Sequence, residues 1–378
     1  GAADILPLGE EYACILTSVG TCAVMSNSKN RSNDVPSLRG KVGIITAIEI
    51  GMLVVFAFLP LILGVLWSAD DSFFWIVFTT KVLILSLFGL SFDLVWGFGG
   101  MLSFGQALFF GGAGYVVAVL ARDLDVSSAF IVIPLAVLVG LVLALLLAAF
   151  LLVARKPPSL IFIALGSLTG SYAAERLARA WYYLGGQNGV SVTHPLTIGE
   201  MPLYEGVGFY YLAFSFLLLV YVGCRFLVRS QFGLVLAGVR QHESRITFFG
   251  YRVQVYKVIV FALGGAIAGL SGGLYAFHEG FVWPSLMGPA YSTQAVLYVL
   301  FGGVGTLAGA VIGVAAIEFA TMFLADFFQD FWPILLGALL LVVVMFRPTG
   351  LVGLLVSERE RIGNFRWRGA KKKKREND

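Results

Sequence analysis

Residues 229–275 read RSQFGLVLAGVRQHESRITFFGYRVQVYKVIVFALGGAIAGLSGGLY. Five cations fall between Arg229 and Lys257, and the chain then runs from Val258 to Tyr275 without a charge. In the first half, Phe232, Leu234, Val235 and Val239 lie to one side of a short amphipathic helix, with Arg240, His242, Glu243 and Arg245 beyond them. The second half is long enough, as helix, to enter a hydrocarbon core about 30 Å thick. A polar helix between two such apolar runs has one evident use, which is to dock a partner outside the membrane.

Composition fixes the solvent. Of 378 residues 58% are hydrophobic and 13% charged, and 45 are glycine. A soluble domain of this length has no interior large enough for that apolar fraction, so most of the chain faces lipid. Apolar runs predict an all-α polytopic membrane protein of about ten spans, at 42–66, 72–97, 98–120, 128–154, 159–182, 207–228, 257–278, 291–306, 307–326 and 331–347. The eighth and ninth are also readable as one helix broken at Gly302, Gly303 and Gly305.

The basic residues order these spans. On this topology 22 of the 26 Lys and Arg lie on one side, Arg122 alone on the other, and Lys81, Arg176 and Arg179 within spans. Because cytoplasmic loops collect cations, both termini are read as cytoplasmic. The organisation is then a polar segment 1–41, a transmembrane domain 42–347 carrying the segment 229–256, and a basic tail 348–378 whose Lys371–Arg375 run suits anionic lipid. Residues 1–24 lack a signal-peptide pattern and read as an upstream extension, with Met25 as the start. Two loops opposite the basic side, 183–206 and 279–290, hold no Lys or Arg and suit an external partner. Cys14, Cys22 and Cys224 have neither disulfide context nor metal-ligand spacing.

Glycine crowds the spans, and most of it reads as helix packing, since lipid gives helices no hydrophobic reason to associate. Two stretches are dense enough to unwind a helix: GFGGMLSFGQ (97–106) and FGGVGTLAG (301–309). Irregular backbone at membrane depth survives only where protein or a water-filled cavity receives it, so both are candidates for a translocation path. Phe98–Ala113 and Phe301–Ala316 share five residues in sixteen, weak support for an internal repeat.

Ionisable residues within spans are costly and carry functional suspicion: Lys81, Asp93, Glu175, Arg176, Arg179, Glu318 and Asp326. Glu175 and Arg179 have the spacing of a helical ion pair. Lys81 can reach Asp93 or Asp326 only through tertiary packing, and Glu318 and Asp326 stand two turns apart on one helix, where a proton relay is conceivable but nothing else in the sequence supports one. There is no nucleotide-phosphate loop, zinc-protease motif or serine-nucleophile elbow, and His194, His242 and His278 are scattered. Any ATP used here is hydrolysed on another chain. An ion-gradient-coupled secondary transporter is the rival reading, resting on Asp93 and Glu318. A membrane scaffold is the third.

Several stretches together resemble one family. SQFGLVLAGVRQHESRITFFGYRVQVYKVIVFALGGAIAGLSGGLYA fits S-x-F-G-x-x-L-x-A-x-R, an acidic residue, G-x6-K and A-G-x-x-G-x-L-Y. LSFDLVWGFGGMLSFGQALFFGGAGY, LGGQNGV, FGGVGTLAGAVIG and FRPTGLVG follow the same family order over about residues 75–355. The chain is similar to the LivM-type permease subunits of branched-chain amino-acid ABC importers, and to the related urea permeases. The resemblance implies a type II-like importer fold in a prokaryotic plasma membrane. It also implies a homologous second permease, two cytoplasmic ATPases that hold ATP and magnesium, and an extracytoplasmic binding protein. This chain then carries no cofactor, no metal and no nucleic-acid surface of its own.

By position, Phe232, Gly233, Ala237, Arg240, Glu243 and Gly250 would form the ATPase-coupling segment, with Arg240 and Glu243 sharing one helix face. Ser103, Gly105, Gln106, Gly302, Gly303 and Thr306 would line or support the substrate path. Asp93, Trp96 and Gln106 depart from the family's usual residues, and so does FFGY. These departures bear on substrate rather than class, leaving amino acids, urea, amides and small or aromatic carboxylates open.

Overall fold

The computed structural model describes residues 42–66, 69–152, 160–199 and 201–327, with Ile15–Leu16, Cys22–Ala23, residues 337–338 and Gly350. The expected span 331–347, most of both tails and the side chain of Asp326 lie outside the described residues. The chain divides into two compact units, Gly1–Ile44 and Ile45–Asp378. In the first, β1 (Ile15–Leu16) pairs antiparallel with β2 (Cys22–Ala23).

The second unit is a helical bundle. After α1 (Val42–Leu66) come α2 (Ala69–Phe92), α3 (Gln106–Asp123), α4 (Ala129–Leu152), α5 (Leu160–Ala180) and α6 (Val207–Arg229). They are followed by α7 (Gln231–Phe248), α8 (Val253–Glu279), α9 (Pro289–Gly302) and α10 (Leu307–Phe327). Short strands β3 (Val190–Ser191) and β6 (Phe281–Val282) pair antiparallel, tying the α5–α6 connection to the end of α8, and β4 (Leu196–Ile198) pairs antiparallel with β5 (Met201–Leu203) within that connection.

Among the described residues five helices are long and apolar enough to cross a membrane: Asp71–Phe98, Ala129–Leu152, Val207–Arg229, Val253–Glu279 and Leu307–Leu324. Two expected spans change. The run 98–120 is not one helix: α2 continues as a π-helical turn over Asp93–Phe98, the chain is irregular to Gly105, and α3 begins only at Gln106. The run 291–306 becomes α9, whose 14 residues reach about 21 Å, short of the roughly 30 Å core. Nor are α9 and α10 one broken helix. Gly313 of α10 stands against the Tyr298 carbonyl and Gly302 of α9, and Tyr298 bonds Glu318, as in an antiparallel hairpin.

The bundle is built around α8, buried over nearly its whole length from Val260 to His278. On α4 small residues recur every fourth position, Ala136, Gly140, Ala144 and Ala148, all buried, while Phe130, Leu138, Leu146 and Phe150 are exposed. The small stripe meets Gly265, Gly269 and Gly273 of α8. Close approach of two backbones is the form association takes where both solvent and side chains are apolar, and the exposed large residues are the lipid-facing complement. Elsewhere the Glu49–Arg225 ion pair joins α1 to α6, and Trp75 and Phe78 pack on Phe319 to join α2 to α10.

Candidate functional site

Both glycine-dense stretches leave the helical ladder, as expected, but they are received by different parts of the bundle. The first returns from the α2 terminus into the protein. Its backbone amides find side-chain partners: Phe104 N–H donates to Ser167 Oγ of α5 (2.9 Å), and Gly105 N–H to Ser103 Oγ (3.2 Å). Ser292 Oγ of α9 donates to the Phe104 carbonyl. Helix α3 therefore starts deep in the bundle. Ser91 Oγ lies 3.5 Å from Gln106 Oε1, and Gly264, eleven residues and about 17 Å along α8, stands at the same level. Gln106 and Ser103 are wholly buried, and Gln106 Nε2 has no hydrogen-bond partner among the described residues.

Ser167 begins a stripe on α5 at fourfold spacing, Ser167, Ser171, Glu175 and Arg179, whose other members hold the turn before α9. Ser167 also donates to Ala164 O (3.0 Å), and Ser171 Oγ donates to Met287 O in the turn before α9. Arg179 pairs with Glu175 as the spacing predicts, at 2.6 Å, and reaches Ser285 Oγ at 3.0 Å. The Glu175 carboxylate abuts Gly288, where α9 begins, and an anion at a helix N-terminus is favourably placed. The spacing of the two serines was visible in the sequence; what they hold was not.

The second stretch is the turn 303–306 between α9 and α10. Gly303 N–H returns to Val299 O (2.8 Å), Thr306 Oγ1 donates to Gly303 O (2.6 Å), and Ala310 N–H takes up Thr306 O (3.0 Å). Gly302 is buried against Gly309 and Gly313, and Gly350 seats on Gly303. The six predicted path residues thus fall into two groups: Ser103, Gly105 and Gln106 at the start of α3, and Gly302, Gly303 and Thr306 in the hairpin turn.

Asp93 links the second stretch to the first. Its Oδ1 accepts the Gly305 N–H at 2.7 Å, and a Cβ on Gly97 would stand 2.6 Å from that same nitrogen, so only glycine permits the approach. Lys81 does not reach Asp93. It pairs with Glu279 at the far end of α8, 3.4 Å away, because α2 carries the two residues of the expected pair more than three turns apart. Glu318 is held by Tyr298 and by Gln294 Nε2 (3.2 Å).

The expected coupling segment is α7. Gly233, Leu236 and Val239 are buried, Phe232 stacks on Tyr256 of α8 with ring centres 5.1 Å apart, and Ala237 is half-buried. Leu234, expected on the apolar side, is exposed. Arg240 and Glu243 do not share a helix face, because His242 between them is non-helical (φ −153°, ψ 89°) and divides α7 in two. Glu243 pairs with buried Lys257 at 2.7 Å, and Arg240, an exposed residue, donates through its guanidinium to the Gly97 carbonyl. The outward side chains are instead Phe248 and Phe249, 89% and 77% exposed, followed by exposed Gly250 in a left-handed conformation (φ 85°). Two adjacent phenylalanines were legible as apolar, but their direction was not.

At the other end of the bundle, Arg122 donates two hydrogen bonds to Asp123 (2.6 and 3.0 Å) and a third to Tyr183 O (3.1 Å). Tyr183 donates to Asp123. Arg122 first, then Tyr183, pulls the Asp123 carboxyl down to about 2. Beneath this cluster a cavity of about 710 Å³ opens between α3, α4 and α5, lined by Tyr115, Val119, Leu143, Leu177 and Trp181 among others.

Against known sequences, the profile of the family described as "Branched-chain amino acid transport system / permease component" matches residues 75–344. The chain is 24% identical over 315 residues to the high-affinity branched-chain amino acid transport system permease protein LivM of Salmonella typhimurium. It is as similar to LivM of Escherichia coli, with 77% of this chain and 73% of each relative covered. The corresponding BraD of Pseudomonas aeruginosa is 27% identical over 129 residues, 34% of this chain and 42% of that protein. No solved structure matches.

Proposed function

The chain belongs to the family of branched-chain amino acid transport system permease components, and from that premise we propose that it is the permease subunit of an ATP-driven importer. The assembly comprises a homologous second permease, two ATPases that bind ATP and magnesium, and a binding protein outside the inner membrane. Substrate is a branched-chain amino acid or a related small polar solute, passed inward by alternating access. The cytoplasmic end of the bundle is the one that carries α7, by its excess of cations.

The observation that carries this reading is the pair Phe248–Phe249. Two neighbouring phenylalanines more than three-quarters exposed, on a basic segment outside the membrane, are a surface awaiting a partner. Docking of an ATPase there buries both rings, and α7 is joined to α8 by the short connection 249–252 and is in contact with the broken-helix turns. Ser103, Gly105 and Gln106 supply the substrate region: the first turn of α3 presents amide N–H groups within the membrane, which favour an anionic group such as an amino-acid carboxylate.

The test is uptake and ATP hydrolysis by the purified complex in vesicles, comparing leucine, urea and an aromatic carboxylate. The wild type is expected to couple hydrolysis to one of them. Phe248→Ser with Phe249→Ser is expected to shed the ATPases and abolish ATP-driven uptake. Uptake that persists without ATP and survives this double change would instead favour gradient coupling through Asp93 or Glu318.

A further inference from the structure

We propose that Arg240 is a positioning residue that transmits the motion of α7 to both broken-helix turns, holding them closed against each other at the α7 end of the bundle. The inference rests on the importer reading but concerns a contact inside the chain, not the surface that docks.

Three segments meet at this guanidinium. Arg240 Nη1 donates to the Gly97 carbonyl, in the π-helical turn that ends α2. Its stem lies along the next turn, where a Cβ on Gly100 would stand 3.1 Å from Arg240 Cγ and 3.2 Å from Cβ. The same Nη1 would stand 3.0 Å from a Cβ on Gly305, in the α9–α10 turn. Gly305 has φ +78°, so it is doubly confined to glycine.

On the opposite side of the contact Asp93 Oδ1 accepts the Gly305 N–H at 2.7 Å and also lies against Gly97. Asp93 is wholly buried, and its Oδ2 has no hydrogen-bond partner among the described residues. A cation from α7 and a buried carboxyl group from the π-helical turn thus flank one backbone-to-backbone approach. Asp93 reaches from the first turn to the second, and Arg240 meets both from α7.

The break in α7 makes the cation movable. His242 separates the part carrying Arg240 from the part carrying Glu243, Phe248 and Phe249. Glu243 is anchored on Lys257 of α8. A partner that pulls on the two phenylalanines therefore pivots α7 about the Glu243 anchor, and Arg240 moves with the pivot. Withdrawal of Arg240 removes the donor to Gly97 and the wall beside Gly305 in one movement.

The experiment uses the complete complex in vesicles, with Cys14, Cys22 and Cys224 replaced by Ser and Val304→Cys as reporter. Val304 is half-buried between Gly303 and Gly305. Labelling by a bulky membrane-impermeant maleimide is measured with and without ATP, beside ATPase co-purification and substrate stimulation of hydrolysis. Arg240→Ala is expected to retain its ATPases, yet to lose stimulation about tenfold and to label at one fast rate whether or not ATP is present. Arg240→Lys, which keeps one donor but not the fork, is expected to fall between, and it decides the matter if the alanine variant does not assemble. ATP-dependent labelling and full stimulation in whichever variant assembles would overturn the proposal while leaving the docking reading intact. Undiminished ATPase binding by Phe248→Ser with Phe249→Ser would overturn the docking reading itself.

Discussion

The two interruptions of the helical ladder, 99–105 and 303–306, look alike as sequence and are held in opposite ways. The first is suspended from side chains: Ser167 and Ser103 accept its amides, and Ser292 caps a carbonyl. The second is seated mainly on backbone: Gly302 lies on Gly309 and Gly313, Gly303 under Gly350, and Gly305 on Gly97, with the Asp93 and Thr306 side chains adding one hydrogen bond each. Each hydroxyl bond contributes about 0.5–1.5 kcal/mol net and can be exchanged for a bond to a solute or water. A glycine seat has no such exchange, because any added atom collides with main chain. Solute contact accordingly suits the first interruption and mechanical closure the second.

The largest effect should come from the backbone seat. Gly313→Leu would drive a side chain into the Tyr298 carbonyl and Gly302, overpacking that costs about 1–3 kcal/mol or more where nothing can yield. It is expected to abolish a monodisperse peak in detergent size-exclusion chromatography. A normal peak would show that α9 and α10 separate more freely than their packing implies.

Next come the hydroxyls. Ser167→Ala leaves the Phe104 amide without its acceptor, a loss of about 1–3 kcal/mol. The expected result is a protein that still folds, with a Tm lower by several degrees and weakened transport. Ser292→Ala should behave likewise. If either abolished folding as Gly313→Leu is expected to, the contrast between the two interruptions would disappear. Gln106→Leu sharpens the same comparison, because it removes a buried donor that has no partner among the described residues. It is expected to change stability little and to reduce uptake far more, read as uptake per folded complex.

The smallest effect concerns a cluster remote from both interruptions. Asp123 is held to about 2 by Arg122 and then Tyr183, below its ordinary value of 3.8. Its contribution to stability is therefore complete above the ordinary value and is lost as pH falls through about 2. The Trp181 ring lies beside that of Tyr183, centres 6.4 Å apart and tilted by 43°, so its fluorescence should stay level from pH 7 to pH 4 and change only toward pH 2. A change centred near 4 would mean that Arg122 does not hold the carboxylate.

Much of this architecture was legible because it depends on local chemistry. Apolar length announced the spans, and glycine density announced both interruptions. The i, i+4 spacing of Glu175 and Arg179 announced their ion pair, since residues four apart on a helix are neighbours whatever surrounds them. The same rule failed for Arg240 and Glu243, because His242 leaves the helix between them. It was silent on Lys81, whose partner is Glu279 on another helix. Helix α9 was overestimated because apolar residues continue through Phe301 into a turn that glycine, not polarity, creates.

The sequence by itself determined that this chain lives in lipid, which stretches unwind, and which polar residues need an explanation. Tertiary structure alone decided who answers each of them: Ser167 for Phe104, Asp93 for Gly305, Arg240 for Gly97. The physical reason is that the hydrocarbon core offers no water. Every freed amide, carbonyl and charge must be met from within the protein, and once the backbone leaves the helix the partner is set by which segments pack together rather than by distance along the chain.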